Sequence, residues 1–393
     1  MPPLTAGNHP NLVYVSQQGG SSILQRYNVT TGSLQTILQT PATETIQEAN
    51  VSPDGQWVLL VSLLQDQFAL QLVRVDGQYL QTLYCAPAQT STDAALLSPD
   101  QRFLVFNQVN QDESISMLYL LDMTTGKLRT ELSPLQPNYP GSTQGQLHTS
   151  WMSSLSSSSS QDKTTGHLKT QQFNPLPSKH YLIYVPMKWA NNGVYLLGTV
   201  RGSGALPHQL ALLRDIRKDV AQQRSNLQAI TATEDNGCQD YDVTADNQQL
   251  ICSAYSPGGP SAINMRPIPG GALRTVYHDP PGGMIVARVL SNSALIFILD
   301  KPNSPPTLWK INTNGSGLTQ LMAAQTKDLI LDFASSSYLP WAITSHEGML
   351  YALKVSNPMS NTQSLVVGDL SAGIPKTIAS SANSLLLVGW AEL

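Results

Sequence analysis

The side chains of this chain that could do acid–base or metal chemistry are densest in one short acidic cluster. Glu234, Asp235, Asp240 and Asp242 lie close together in the sequence. Carboxylates at this density can bind Ca²⁺, but an EF-hand loop also needs a central Gly and a terminal Glu, and both are missing here. We favour a solvated loop that leads into a strand, and a calcium site is the alternative.

Signatures of nucleophilic, zinc or phosphate chemistry are missing from the sequence. The seven histidines show no HExxH or HxH spacing, and there is no GxSxG elbow. Cys85, Cys238 and Cys252 form no CxxC or Cys/His cluster. Cys238 and Cys252 fall on adjacent strands of one predicted hairpin, where we favour two buried thiols, with a disulfide as the alternative. We therefore expect no catalytic residue, no metal and no cofactor.

A recurring turn predicts the elements that position these residues. Val51-Ser52-Pro53-Asp54-Gly55-Gln56-Trp57 is matched by Leu97-Ser98-Pro99-Asp100-Gln101-Arg102-Phe103. Weaker copies place Thr244, Ser291, Ser335 and Ser380 at the serine position, and neighbouring copies are 44 to 47 residues apart. Pro presets φ, Asp can bond its own backbone, and Gly tolerates positive φ. A fixed period of this size, with an apolar strand after each turn, predicts β-propeller blades.

A second turn lies about 25–30 residues after the first within a repeat, as in Asn28-Val29-Thr30-Thr31-Gly32-Ser33-Leu34 and Asp122-Met123-Thr124-Thr125-Gly126-Lys127-Leu128. It predicts a hairpin between the third and fourth strands. Together, the two turns resemble the WD40-like repeat of TolB-type propellers, and they are similar to repeats in the propeller domains of prolyl oligopeptidase relatives. The resemblance covers most of the chain from Asn11 to Trp390. It implies that the Ser-Pro-Asp-Gly residues form turns and are not a site.

The repeat predicts an all-β chain in which residues 1–10 are linker-like and 11–393 form one seven-bladed propeller. Blades two to seven are expected at 46–87, 92–134, 181–231, 238–279, 283–323 and 328–369. The segment Ile374–Trp390 is expected to return and complete the N-terminal blade, which closes the ring. Residues 135–178 form a Ser-rich insertion. Because Ser98 and Ala190 are two full periods apart, an eight-bladed ring with one degenerate blade is the alternative.

Propellers usually bind at the mouth of the central channel, which the first strand of each blade lines. The ionisable residues that the repeat places there are Glu48, Asp93, Asp240, Asp242, Arg288, Asp332 and Lys376. Charges on such strands are unexpected unless they face the channel or pair with one another. We take them as a candidate binding site, and simple solvation of the channel is the competing interpretation. Tyr139 and Trp151 could anchor a partner, whereas Trp189 is expected to pack between blades.

Composition narrows the classes of function. Charged residues make up 12% of the chain, about half of the ~25% usual in soluble domains, and the formal net charge is −4. There is no basic stripe that could bind nucleic acid.

The longest apolar runs are strand-sized, so we expect no membrane-spanning segment. No apolar signal-peptide region follows Met1, and the first residues resemble a linker. The polar, weakly charged surface suits an extracytoplasmic protein, periplasmic or on the cell surface, at least as well as a cytosolic one.

From these features we expect a non-enzymatic module that binds a protein, peptide or glycan as an extracytoplasmic sensor, and that acts as a monomer. A rigid ring with variable loops suits recognition. The main alternative is a hydrolytic, lactonase-like propeller. That alternative requires Glu48, Asp240, Asp242 and Asp332 to converge on one point. A pure scaffold, acting through the Ser-rich insertion, is a third interpretation, and the fold alone cannot decide among the three.

Overall fold

The computed structural model describes most of the chain. The residues described are 4, 9–110, 116–132, 182–190, 195–202, 210–215, 227–229, 238–244, 246, 248–255, 259–268, 271–333, 344–345, 348–371 and 373–392. These residues contain strands and turns, with no helix among them that could cross a membrane. The predicted insertion at 135–178, including Tyr139 and Trp151, lies outside the described residues, as do Glu234, Asp235 and Ser335.

The strands of the described residues, numbered in chain order, form seven four-stranded antiparallel sheets. Sheet 1 contains β1 Pro10–Gln18, β2 Ser21–Asn28, β3 Leu34–Gln39 and the last strand, β28 Leu385–Glu392. Sheet 2 contains β4 Glu44–Val51, β5 Trp57–Leu64, β6 Gln67–Arg74 and β7 Gln81–Cys85. Sheet 3 contains β8 Thr90–Leu97, β9 Phe103–Asn110, β10 Ser116–Asp122 and β11 Lys127–Leu132.

The later sheets repeat this order. Sheet 4 contains β12 Leu182–Ala190, β13 Tyr195–Gly202, β14 Leu210–Asp215 and β15 Leu227–Ala229. Sheet 5 contains β16 Cys238–Val243, β17 Gln249–Ala254, β18 Ser261–Pro267 and β19 Arg274–Asp279. Sheet 6 contains β20 Met284–Ser291, β21 Ala294–Asp300, β22 Thr307–Asn312 and β23 Thr319–Ala323. Sheet 7 contains β24 Ile330–Asp332, β25 Leu350–Asn357, β26 Thr362–Asp369 and β27 Lys376–Ser381.

The ring closes as the sequence predicted, because β28 pairs with β1 and completes sheet 1. The segment Ile374–Trp390 divides, however, and its first part is not in sheet 1: β27 completes sheet 7, and only β28 joins the N-terminal strands. One chain segment thus supplies the outer strand of the last sheet and the inner strand of the first. The eight-bladed alternative depends on residues 135–178, so the number of blades stays a prediction.

The core consists of apolar layers between neighbouring sheets. Val13 and Val388 of sheet 1 share a buried cluster with Val58 and Leu60 of sheet 2. Comparable clusters join sheets 2 and 3, 5 and 6, 6 and 7, and 7 and 1. Central strands such as β5 are apolar on both faces because both faces are covered, as expected for a strand enclosed between two layers.

The recurring turn positions the start of each second strand. The Ser52 hydroxyl accepts a hydrogen bond from the Trp57 N–H at 2.9 Å, and Ser98 does the same for Phe103 at 2.9 Å. Asp54 accepts from the Gln56 N–H at 3.1 Å, and Gly55 has φ of 71°. These contacts agree with the predicted structural role of the motif.

The two weakest copies of the turn were predicted at the wrong positions. For sheet 7 the repeat spacing predicted the turn at Ser335, but it begins at Ser345, whose hydroxyl accepts from the Leu350 N–H at 3.2 Å. Ser380 lies on the outer strand β27 and forms no such turn. Serine is so frequent in this chain that a spacing near the repeat period arises at Ser380 by coincidence.

The double substitution Asp54→Ala, Gly55→Val is expected to lower the free energy of unfolding by about 1–3 kcal/mol. It removes the acceptor for Gln56 and puts a β-branched residue at positive φ. Urea denaturation measures the loss. Asp66→Ala, in the exposed turn between β5 and β6, is the control and should leave the midpoint unchanged. Equal midpoints for both variants would contradict the role given to this turn.

A hairpin turn in sheet 2 makes stability depend on pH. The Arg74 guanidinium bonds both carboxylate oxygens of Asp76, at 3.0 and 2.6 Å, and lowers the pKa of Asp76. Because the pKa of Asp76 is lower in the folded than in the unfolded chain, the ion pair stabilises the fold at pH values above about 4, the ordinary carboxyl pKa. That contribution is lost as the pH falls through the depressed pKa. Asp76→Asn should therefore be less stable than the parent at pH 7 and equally stable in strong acid. Urea midpoints across pH measure this, and a constant difference at every pH would contradict it.

Candidate functional site

Six of the seven predicted channel residues lie on first strands. Asp240 and Asp242 are on β16, and Glu48, Asp93, Arg288 and Asp332 are on β4, β8, β20 and β24. The side chain of Asp93 is outside the described part of the structure. Lys376 was placed wrongly, because it lies on β27, at the opposite edge of its sheet from Asp332. Its amine donates to the Tyr27 hydroxyl at 3.1 Å, in the layer between sheets 7 and 1.

A β-bulge shapes the first strands beside these residues. The register shifts between Ile46 and Glu48, between Pro186 and Lys188, and between Cys238 and Asp240. Bulges re-aim the side chains next to them. Glu48 and Asp240 each follow their bulge and each lie four residues before the turn residue, Ser52 or Thr244. They are thus equivalent positions in sheets 2 and 5.

In both sheets, inner-strand side chains reach across to the next sheet. The Glu48 carboxylate accepts from the Ala94 N–H at 3.0 Å, and the Asn50 amide donates to the Ala95 carbonyl at 3.0 Å. Asp242, which is equivalent to Asn50, accepts from the Val289 N–H at 2.8 Å. These bonds satisfy buried backbone groups where first strands of neighbouring sheets meet. Glu48 therefore has a structural role at the boundary of sheets 2 and 3.

Further charges join sheets 4, 5 and 6. Lys188 of β12 lies 2.8 Å from the Asp242 carboxylate, and Arg288 of β20 pairs with Asp240. Asp242 is 3% exposed and also accepts from the Val243 N–H at 2.7 Å. Lys188 was missed by the sequence analysis. Its signal was present, since it is a single cation in the apolar stretch Leu182–Ala190.

The row continues into sheet 7. Lys354 of β25 lies 3.9 Å from Asp332, whose side chain is 45% exposed. We call Lys188, Asp242, Asp240, Arg288, Asp332 and Lys354 the charge row. It crosses four consecutive sheets. The sign of the charges on the first strands changes from each sheet to the next, and each charge of the row lies near an opposite one.

Arg288 lies at the centre of the charge row. Burial by itself lowers its pKa, but the carboxylates of Asp240, Asp242 and Asp332 outweigh burial and leave the pKa raised. Its guanidinium also donates to the Ala287 carbonyl at 2.8 Å, while its Nε has no hydrogen-bond partner among the described residues. The guanidinium therefore stays charged. Burial raises the pKa of the nearby Tyr255, and the negative charge of Asp240 raises it further.

A disulfide joins Cys238 and Cys252 at the start of β16, with the Cα atoms 5.5 Å apart. The preference for two free thiols was therefore wrong. The bulge at Gln239 shifts the register, so that Cys238 pairs with Ala254 and reaches Cys252 diagonally, which sequence alone does not reveal. The bridge begins two residues before Asp240 and fixes the strand that carries both aspartates.

Titration of the denatured, unreduced protein with a thiol reagent should find one free thiol of the three cysteines, at the exposed Cys85. After reduction, the count should rise to three. Cys85→Ser is the control and should leave no free thiol before reduction. Three free thiols in protein purified from an oxidising compartment would contradict the bridge.

The arrangement favours ionic contact with a ligand. Asp332, Lys188 and Asp240 keep 45%, 25% and 18% of their side chains exposed.

Within the described residues, no three His, Cys, Asp or Glu side chains come close enough together to hold a metal ion. Trp189 packs between sheets as predicted, since it is 6% exposed and its indole N–H donates to the Leu96 carbonyl at 3.4 Å.

Comparison with known proteins places the fold in a class. No family model and no curated protein matches the sequence. A solved structure of a candidate 6-phosphogluconolactonase from Bacteroides fragilis aligns with a TM-score of 0.51 and 13% identity, over 99% of this chain and 98% of that one. At this identity the likeness shows the fold alone, and the chain is a β-propeller.

TolB-type proteins are among the structures that it resembles, as its repeat predicted. TolB from Acinetobacter baumannii aligns over 81% of this chain with a TM-score of 0.47 and 11% identity, and this chain spans 64% of that protein. An uncharacterized protein from Listeria monocytogenes aligns with a TM-score of 0.49 and 11% identity, over 92% of this chain and 93% of that one.

Proposed function

We propose that this chain is a non-enzymatic binding propeller, an extracytoplasmic interaction or sensor module that acts as a monomer. Its ligand contacts the charge row at the mouth of the channel. The observation that supports this most is the change of sign, from each sheet to the next, of the charges on the inner strands of four consecutive sheets. Asp332, Lys188 and Asp240 are the partly exposed members. Their partners hold these side chains in place before a ligand arrives, which lowers the entropic cost of binding.

Both signs of charge lie within one row, which suits a ligand that carries both. A protein loop or peptide with acidic and basic side chains has this chemistry, and a glycan is the other expected ligand. Electrostatic complementarity of this kind adds specificity and speeds association. The disulfide between Cys238 and Cys252 supports an extracytoplasmic location, because such bonds persist in oxidising compartments.

Selection from a displayed library of random peptides, followed by affinity measurement, tests the proposal. Asp332→Lys should weaken the selected peptides about tenfold or more, because a partly exposed acidic contact becomes repulsive. The variant should still fold, because Asp332 is 45% exposed on its side chain, and its melting temperature should fall only slightly through the lost pairing with Lys354. Asp328→Lys, at an exposed position just before β24, is the matched control and should bind as the parent does.

Two results would overturn the proposal. One is unchanged binding by folded Asp332→Lys. The other is hydrolysis of lactones, esters or glycosides by the purified chain that disappears in Asp240→Asn, which would instead support the hydrolase alternative.

A further inference from the structure

The hairpins between the third and fourth strands of sheets 2 and 6 are built in the same way. Arg74 and Asn312 hold equivalent positions in them. The N–H of each donates to the carbonyl four residues later, at 3.0 and 2.9 Å, and the carbonyl of each accepts from a glycine N–H three residues later, at 2.8 and 2.9 Å. Asp76 and Asn314 each accept from the N–H two residues further on, at 3.1 and 3.0 Å. The two turns therefore match residue by residue.

The residue that follows each matched segment is Tyr79 in sheet 2 and Gly317 in sheet 6. Both have positive φ, 57° and 68°. Glycine adopts this conformation without steric cost, whereas a bulky side chain there is an outlier. Tyrosine is thus the strained choice at a position where the same turn accepts glycine. Backbone strain of this kind concentrates at functional sites.

The Tyr79 ring is exposed and held in one orientation. The Arg74 guanidinium lies 4.5 Å from the ring centroid, and 45% of Tyr79 is exposed. Arg74 is itself 6% exposed, pairs with Asp76 at 2.6 Å and donates to the Gln78 side chain at 2.9 Å. A cation over one face of the ring leaves the opposite face for a second contact. Because the ring is already braced, stacking on a ligand costs it little entropy.

Amide groups flank the ring. The turn packs against the fourth strand of sheet 1, where a Cβ atom at Gly77 would lie 2.7 Å from the Ile37 carbonyl oxygen. Gln35 of that strand and Gln78 of the turn are both exposed, and the side-chain oxygen of each accepts from an arginine of its own sheet. Because the oxygens are engaged, the two NH2 groups remain to donate to a ligand.

We propose that Tyr79 is the platform of a second binding site, separate from the charge row, that takes a pyranose ring of a β-linked glycan. Glucose-type rings in β linkage carry their substituents equatorially, so their faces present C–H groups that can stack on an aromatic face. Their edges present hydroxyl oxygens that accept from amide NH2 groups. An open ring beside amide donors fits this chemistry better than that of a protein hot spot, which lies in a fully desolvated pocket.

NMR of protein isotope-labelled in its tyrosine rings tests this with cellotetraose and chitotetraose as probes. Tyr79→Phe identifies the Tyr79 resonance by its loss. That resonance should shift in a saturable way with at least one of the two oligosaccharides. It should not shift with sorbitol, which carries hydroxyl groups like those of glucose but has no ring. Absence of a saturable shift with both oligosaccharides, or an equal shift with sorbitol, would overturn the proposal.

Tyr79→Gly separates binding from stability. It removes the ring and the strain together, so the variant should unfold near the parent's urea midpoint, while its calorimetric affinity for the oligosaccharide falls at least about tenfold. Tyr79→Phe keeps the ring and should bind within about twofold of the parent. Gln65→Gly, at an exposed position with φ of 50° between β5 and β6, is the matched control and should bind as the parent does.

Unchanged affinity of folded Tyr79→Gly would overturn the proposal. If that variant does not fold, Tyr79→Asn takes its place, because asparagine tolerates positive φ and has no ring, and it must show the same loss.

A proline-rich peptide is the other occupant that an exposed aromatic ring can take. A blocked proline-rich decapeptide that shifts the Tyr79 resonance saturably, where the oligosaccharides do not, would overturn the glycan and indicate a protein ligand. Asp332→Lys should bind the oligosaccharides as the parent does, because it changes only the charge row. Loss of oligosaccharide binding in folded Asp332→Lys would contradict the separation of the two sites.

Discussion

Asp242→Ala is expected to lower the free energy of unfolding by about 3–4 kcal/mol. The Asp242 carboxylate accepts from two backbone N–H groups, of Val243 and Val289, and pairs with Lys188 at 2.8 Å. It is 3% exposed, so water cannot replace these bonds without the strand opening. Alanine leaves both N–H groups without this acceptor and removes the carboxylate partner of the Lys188 ammonium group, which then retains the long 3.4 Å bond to the Val243 carbonyl. Chemical denaturation measures the loss.

Asp328→Ala is the control for this prediction. Asp328 is an exposed aspartate just before β24, and its replacement should change the free energy of unfolding by no more than about 0.5 kcal/mol. Equal, small losses for the two variants would show that Asp242 does not join sheets 4, 5 and 6. The proposed function would not be affected, because its test uses the exposed Asp332.

Gly368→Ala is expected to cost about 2–3 kcal/mol through overpacking. Gly368 pairs directly with the fully buried Tyr351. A Cβ atom at Gly368 would face ring atoms of Tyr351 that can move only with the surrounding core. Thermal or urea unfolding measures the effect.

A double-mutant cycle isolates this contact. In a Tyr351→Ala background the same Gly368→Ala change should cost almost nothing, since the ring that it meets is gone. Gly373→Ala is the matched control: its added Cβ would meet only Asp369, at an ordinary 3.4 Å, so stability should not change. Equal costs in both backgrounds would contradict the account of Gly368.

The turns made the fold predictable from the sequence. Ser52-Pro53-Asp54-Gly55 and its copies form turns by local hydrogen bonds that depend on residue type alone, so their spacing gave the period and the strand order. Where a copy lacked Pro and Asp, as at Ser380, the repeat spacing alone predicted a turn at a position that lies on a strand. The division of the C-terminal segment into β27 and β28 depends on pairing with strands far away in the sequence, which no local pattern contains.

The sequence predicted which strands carry the residues of the candidate site, but it did not predict which side chains contact one another. A charge within an apolar first strand is visible in the sequence, which is how Asp240, Asp242 and Arg288 were found. Their partners are set by the bulges, which change the direction of a side chain without a clear residue signature. For that reason the pairing of Lys188 with Asp242 and the structural role of Glu48 became visible only in three dimensions.

Photo-cross-linking tests most directly whether the charge row is the binding site. A peptide from the library selection, carrying a photoreactive benzophenone, is irradiated in complex with the chain, and the modified residues are located by mass spectrometry. We predict labels on or beside β12, β16, β20 and β24, and their loss in Asp332→Lys. Labels confined to outer strands such as β7, β19 or β27, and retained in Asp332→Lys, would contradict the central claim.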